Sequence, residues 1–231
     1  MSEEVLGKIL FTQEEITEKA KELGARITED YAGEELIVVG TLKGAVMWMS
    51  ELIKYIDLDV KIDFVSASSY GSGTTTSGVV KVTKDLSMDI YRKNVLIVED
   101  IIDTGTTLSY LVNNFKDRNP KSVEICTMLD KPSRRTHTLK GKYTGFTIDD
   151  LFVVGYGLDY DQKYRNLPYI SYLDPNHLPE ENSGPERFRW RNENNRHRFD
   201  HMFCGDGITG NPGAEHPVCP PGAGDLFVPF Q

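Results

Sequence analysis

The stretch VLIVEDIIDTGTTL, Val95 to Leu108, drives an apolar run straight into three acids, Glu99, Asp100 and Asp103, and then into Thr104-Gly105-Thr106-Thr107. Ionised carboxylates at the end of a buried element are costly unless a ligand or cation engages them. Carboxylates accept hydrogen bonds from hydroxyls, so Glu99 and Asp100 suit the 2- and 3-hydroxyls of a ribose. Glycine and hydroxyl residues at the start of a helix let amides and side-chain donors wrap an anion. The run Asp103, Thr104, Gly105, Thr106, Thr107 therefore suits the 5-phosphate of the same sugar. No Gly-Lys-Ser/Thr ending makes this a Walker A loop, and no G-x-G-x-x-G makes it a dinucleotide fingerprint. A single Asp would be read as a helix cap. Two adjacent acids, a third three residues on, and a Thr-Gly-Thr-Thr run point beyond that.

Such a loop has to be held by the elements on either side. The unbroken apolar run Val95–Val98 predicts a central strand covered on both faces, and a helix is expected to begin near Thr106 or Thr107. The loop then lies at the carboxyl end of a parallel strand, where open α/β sheets bind ligands. Upstream, Thr12-x-x-Glu15 is a capping box that opens a helix to about Tyr31. The segment ELIVVG reads as a buried strand, and LKGAVMWMSELIKYI as a turn entering a helix. DVKIDFVSA and VVKVTKD alternate apolar and polar residues as half-buried strands do. Between them SSYGSGTTTSG is too polar and glycine-rich to bury a face. TLSYLVNNFKD predicts a helix stopped by Pro120, and SVEICTML, LFVVGYG and PYISYL predict further strands. Strands alternating with helices indicate an α/β fold with a mainly parallel central sheet flanked by helices.

The whole chain narrows the function classes. Its 231 residues carry a net charge of −9, which argues against a general nucleic-acid binder. The acidic start MSEEVLGKILFTQEEI lacks the pattern of a secretory signal, and no apolar run approaches the ~20 residues of a membrane span. Cys126, Cys204 and Cys219 are odd in number, which fits a reduced, cytoplasmic protein. The composition breaks near residue 180, so the chain divides into a domain over 1–180 and an atypical tail over 181–231. That tail is dense in Gly, Pro, Asn and Arg, and is expected to be disordered. Its His201-x-x-Cys204 and His216-x-x-Cys219 pairs have a zinc-like spacing, but the surroundings lack the apolar pattern of a metal-stapled fold.

The Val95–Leu108 segment resembles the phosphoribosyl-diphosphate signature of the type I phosphoribosyltransferases. TLKGAVMW, SSYGSGTTTSG, LDKPSRR and FVVGYGLDYDQKYRNLPYI extend the likeness over roughly residues 5–177, toward the bacterial hypoxanthine (hypoxanthine–guanine) branch of that family. The resemblance implies that fold with a small hood region, and purine salvage. The implied reaction joins phosphoribosyl diphosphate to hypoxanthine or guanine, giving a nucleoside monophosphate and pyrophosphate with Mg²⁺. It implies that Glu99 and Asp100 hold the ribose hydroxyls and Asp103–Thr107 the 5-phosphate, with Asp103 also facing purine N7 as general base. Lys131 would bond the 6-oxo group, Phe152 stack on the base, and the backbone of Val153 read its edge. Asp159, with Glu99 and Asp100, would bind Mg²⁺ directly or through water. Lys43, Gly44 and Arg165 would receive the pyrophosphate beneath a lid containing Ser69 and Tyr70. The family also implies a homodimer or homotetramer. A nucleotide-sensing RNA-binding regulator on the same fold would need a basic face that this acidic chain does not advertise. An enzyme for a 6-amino purine fits Lys131 poorly, because an ammonium donates but does not accept.

Overall fold

The computed structural model describes residues 6–69 and 80–173. Nine strands and three helices follow in chain order: β1 (Leu6–Phe11), α1 (Gln13–Asp30), β2 (Leu36–Thr41), α2 (Val46–Leu52), β3 (Lys61–Ser69), β4 (Val80–Lys84), β5 (Asn94–Ile102), α3 (Thr106–Lys116), β6 (Ser122–Asp130), β7 (Tyr143–Thr147), β8 (Val153–Val154) and β9 (Ile170–Leu173). Six strands form one sheet in the order β4-β3-β2-β5-β6-β7. All neighbours in it run parallel except the β3–β4 pair. A separate antiparallel sheet, β1-β9-β8, joins the beginning of the domain to its end as a small hood.

The continuous apolar runs of β2 and β5 become two cores because successive side chains leave a strand on opposite faces. Leu36 and Val38 of β2, with Leu96 and Val98 of β5, pack against Ile16, Leu23 and Ile27 of α1 and against Trp48 and Leu52 of α2. Ile37 and Val39, with Val95 and Ile97, pack on the other face against Leu108, Leu111 and Phe115 of α3. Each such side chain contributes roughly 1.5–3 kcal/mol by leaving water. The central strands are thereby held rigidly between two helical layers. Helix α1 starts where its capping box places it, with Thr12 accepting from the Glu15 amide and Glu15 accepting from the Thr12 amide. Among the described residues, no helix is long and apolar enough to cross a membrane.

The structure lengthens β5 through the acids to Ile102 and starts α3 at Thr106. Helix α3 ends at Lys116, ahead of Pro120. LFVVGYG shrinks to the two residues of β8, because Gly155, Tyr156 and Gly157 all take positive φ and turn the chain away. Two strands add to the sequence reading, β1 and β7. The proposed lid residue Tyr70 and the 181–231 tail, with its histidine and cysteine pairs, lie outside the described residues.

Candidate active site

A cleft of about 330 Å³ opens at the carboxyl edge of β2 and β5. Its floor is the acid pair. The parallel register sets Gly40 beside Val98, so Thr41 falls next to Glu99 and its Oγ1 donates to Glu99 Oε1 at 2.9 Å. Burial raises the Glu99 carboxyl well above the ordinary carboxylate range, and the neighbouring Asp100 charge adds to the rise. Burial raises Asp100 as well, while the Arg165 charge pulls it back. No lysine reaches either acid through a hydrogen bond or ion pair among the described residues, so two half-buried carboxylates share one spot. The backbone of Gly44 lies directly against Asp100. A Cβ there would stand 1.6 Å from Asp100 Oδ2, so any larger residue must displace that carboxylate. The Leu42–Lys43 peptide beside it is cis.

The second side of the cleft is the turn into α3. Gly105 takes φ of 82°, a conformation that glycine adopts without a Cβ penalty. The first helical hydrogen bond runs from the Ser109 amide to the Gly105 carbonyl at 2.8 Å. The amides of Thr106, Thr107 and Leu108 therefore precede the helical ladder and project from its positive end. Thr104 Oγ1 and Thr106 Oγ1 stand 3.2 Å apart and add hydroxyl donors there. Asp103 Oδ1 lies 3.1 Å from Arg134 Nε.

The third side is built from the 157–165 loop. Arg165 donates to the Gly157 carbonyl at 2.7 Å and pairs with Asp159 Oδ1 at 2.7 Å. Gln162 accepts from Lys43 Nζ at 3.2 Å and lies 3.4 Å from Arg165, so one amide gathers two cations. Gly157 packs so closely that a Cβ would stand 2.0 Å from the Gly44 carbonyl.

The structure thus gathers Lys43, Gly44, Glu99, Asp100, the 103–107 turn, Asp159 and Arg165 around one cleft. Lys131, Phe152 and Val153 lie outside its lining. Lys131 is only 5% exposed, and burial lowers its pKa against the opposing charges of Asp103 and Asp150. It joins the site through a chain of charges: Asp103 to Arg134, Arg134 to Asp150 at 3.5 Å, and Asp150 to Lys131 at 3.9 Å. Phe152 sits edge-on to Tyr160, centroids 5.9 Å apart. Val153 pairs with Tyr172 in the hood sheet. Ser69 ends β3.

Three participants escaped sequence reasoning: Thr41, Gln162 and Arg134. Thr41 opens the TLKGAVMW stretch, but its bond to Glu99 follows only from the β2–β5 register. Gln162 and Arg134 are ordinary polar residues within stretches that sequence reading had already singled out.

The residues tolerate a divalent cation in one particular way. Among the described residues, no three His, Cys, Asp or Glu side chains converge as a metal cage. Asp159 is engaged by Arg165 and by the Gln162 amide at 2.8 Å, apart from the Glu99–Asp100 pair. Magnesium needs only one or two carboxylates when substrate phosphates supply the rest. The half-buried Glu99–Asp100 pair fits that requirement.

Residues 8–161 match the model of the phosphoribosyl transferase domain. The chain belongs to the phosphoribosyltransferase family. The hypoxanthine-guanine phosphoribosyltransferase of Streptococcus pneumoniae is 52% identical over 173 residues, covering 75% of this chain and 96% of that one. Its counterpart from Bacillus subtilis is 51% identical over 170 residues, covering 74% and 94%. Among solved structures, a hypoxanthine phosphoribosyltransferase from Staphylococcus aureus superposes with a TM-score of 0.73 at 50% identity, covering 75% of this chain and 95% of that one. The phosphoribosyltransferase region of this chain is thus matched nearly end to end in these relatives.

Proposed function

We propose that this protein is a purine-salvage phosphoribosyltransferase. It moves the 5-phosphoribosyl group from phosphoribosyl diphosphate to hypoxanthine or guanine, giving the nucleoside monophosphate and pyrophosphate. One observation carries the reading: a pair of half-buried carboxylates, with no lysine counter-ion among the described residues, faces the amino end of α3 across a single cleft. Among common metabolites, a phosphorylated pentose carries both a diol and an anion.

In this reading Glu99 and Asp100 accept hydrogen bonds from the ribose hydroxyls, and the amides and hydroxyls of Asp103–Thr107 hold the 5-phosphate. As the bond from ribose C1 to the diphosphate lengthens, positive charge grows on the sugar, and the same two carboxylates stabilise it. Lys43, the Gly44 backbone and Arg165 receive the departing anion, for which a guanidinium offers paired donors. Asp103 takes the N7 proton as N9 of the purine bonds to C1, which is general-base work. Lys131 donates to the 6-oxo group, Phe152 stacks on the base, and the Val153 backbone meets its edge. Mg²⁺, held by Glu99 and Asp100 together with the diphosphate oxygens, would neutralise the leaving group, with Asp159 reached through water. The reading places the enzyme in the cytoplasm as a homodimer or homotetramer.

The test is an assay of hypoxanthine, guanine, xanthine and adenine with phosphoribosyl diphosphate and Mg²⁺, on the wild type and on Asp103→Asn. The 6-oxopurines should turn over and adenine should not. The variant should lose about 10²–10⁴-fold in kcat, the usual worth of a general base. Absence of turnover with every purine would remove the activity, and equal rates would remove Asp103 from the base role.

A further inference from the structure

Arg135 is not part of the cleft lining, yet its guanidinium reaches the backbone of the turn that is. Its side chain is 14% exposed and forms an ion pair with Asp130 at the end of β6. From there the guanidinium donates to the Asp103 carbonyl at 3.2 Å, to the Ile102 carbonyl at 3.3 Å, and to the Leu139 carbonyl. Its Cδ lies 3.3 Å from where a Gly105 Cβ would be. Neighbours on the same strap complete the pattern. The Lys131 amide bonds the Ile102 carbonyl at 3.0 Å, and the Thr136 amide and hydroxyl both bond the Thr104 carbonyl at 3.1 Å.

Three consecutive carbonyls, those of Ile102, Asp103 and Thr104, are therefore drawn toward the 131–136 strap. In a planar trans peptide the N–H points opposite to the C=O. Pinning those carbonyls turns the amides of Asp103, Thr104 and Gly105 the other way, toward the cleft these residues line. An anion meets donors already oriented, and binding spends little on ordering the loop. Only an arginine supplies several donors in a rigid fork while also neutralising a carboxylate.

We propose that Arg135, clamped by Asp130, is a positioning residue that presets the phosphate-binding amides and ties them to the strand end carrying Lys131. The proposal rests on the functional reading above and extends it to a residue that touches no substrate.

Two ligands separate a positioning role from general damage. In the functional reading above, inosine 5-monophosphate presents a phosphate to the turn, whereas magnesium pyrophosphate meets Lys43, Gly44 and Arg165 instead. Calorimetric titration of the full-length wild type, Arg135→Met, Arg135→Lys and Thr136→Val with each ligand gives the comparison. Arg135→Met should bind the monophosphate at least about 10-fold more weakly, the scale of one charged hydrogen bond. Pyrophosphate affinity should stay within about twofold, and Arg135→Lys should recover part of the loss. Thr136→Val removes one donor to the Thr104 carbonyl and should weaken the monophosphate alone, by a smaller factor. Unchanged monophosphate affinity in Arg135→Met, or equal weakening of both ligands, overturns the proposal. If Arg135→Met does not fold, Thr136→Val decides, and a wild-type affinity there overturns it. A wild type that ignores the monophosphate sinks the functional reading and this proposal together, whereas a failure confined to the variants sinks only the latter.

Discussion

The two ends of the same parallel strands treat their acids in opposite ways. At the amino edge, Glu35 precedes β2 and is bonded by Lys61 of β3 and by Lys93 just before β5. Those two ammonium groups pull its carboxyl down to about 2. Glu34 beside it is lowered by Lys121, 2.6 Å away at the foot of β6, and by Asn94. At the carboxyl edge, Glu99 and Asp100 lie side by side with no such lysine among the described residues, and burial raises both. One edge spends its charge on stitching strands together. The other leaves its acids without a paired cation among the described residues, where a ligand's hydroxyls or a cation can engage them. Identical residue types thus serve stability at one end of a sheet and ligand binding at the other.

The strongest way to break this contrast is to neutralise the carboxyl-edge pair. A carboxyl whose folded pKa stands above its unfolded value costs stability when ionised. That cost is relieved as pH falls through the raised value and is absent in a neutral amide. Glu99→Gln and Asp100→Asn should therefore raise the melting temperature of the ligand-free protein at neutral pH. The same variants should lower kcat/KM for phosphoribosyl diphosphate by about 10²-fold or more. A fall in melting temperature would show that the pair is structural after all.

A smaller effect is expected from Gly44→Ala, which leaves every charge in place. The new methyl cannot share space with Asp100 Oδ2, so the floor and the Lys43 loop must separate. A displacement of about 1 Å near reacting atoms costs up to about 10²-fold in rate. A loss of roughly 10-fold or more in kcat/KM is predicted, read by steady-state kinetics. Wild-type kinetics would mean that the close approach is incidental.

Glu35→Gln should leave activity within about twofold of wild type. Its depressed carboxyl contributes stability that is fully present above the ordinary value of 4.5 and lost as pH falls toward about 2. The variant should melt lower than wild type at pH 7, and the gap should close across that acid window. A gap independent of pH would detach the effect from Glu35 ionisation.

Much of this architecture was legible because its signals are local. The Thr12–Glu15 box announces α1, the Val95–Val98 run announces β5, and the hydroxyl-glycine turn announces the start of α3. What escaped depends on distant partners. β1 does not alternate, with an inner pair of exposed residues, and it exists because Leu6 and Phe11 meet Leu173 and Ile170 through an irregular register. β7 contains Gly145, normally a strand breaker, yet a Cβ there would stand 2.5 Å from the Met128 carbonyl of β6. The site divides in the same way. Its acids and phosphate turn are contiguous in sequence, whereas Thr41 and Gln162 join through strand register and loop closure.

The central claim concerns one orientation of one ligand. A crystal structure of the protein with inosine 5-monophosphate tests it most directly. The account predicts the phosphate on the amides and hydroxyls of Asp103–Thr107, with both ribose hydroxyls on Glu99 and Asp100. A nucleotide bound with its phosphate elsewhere, or with its ribose turned from those two carboxylates, would contradict it.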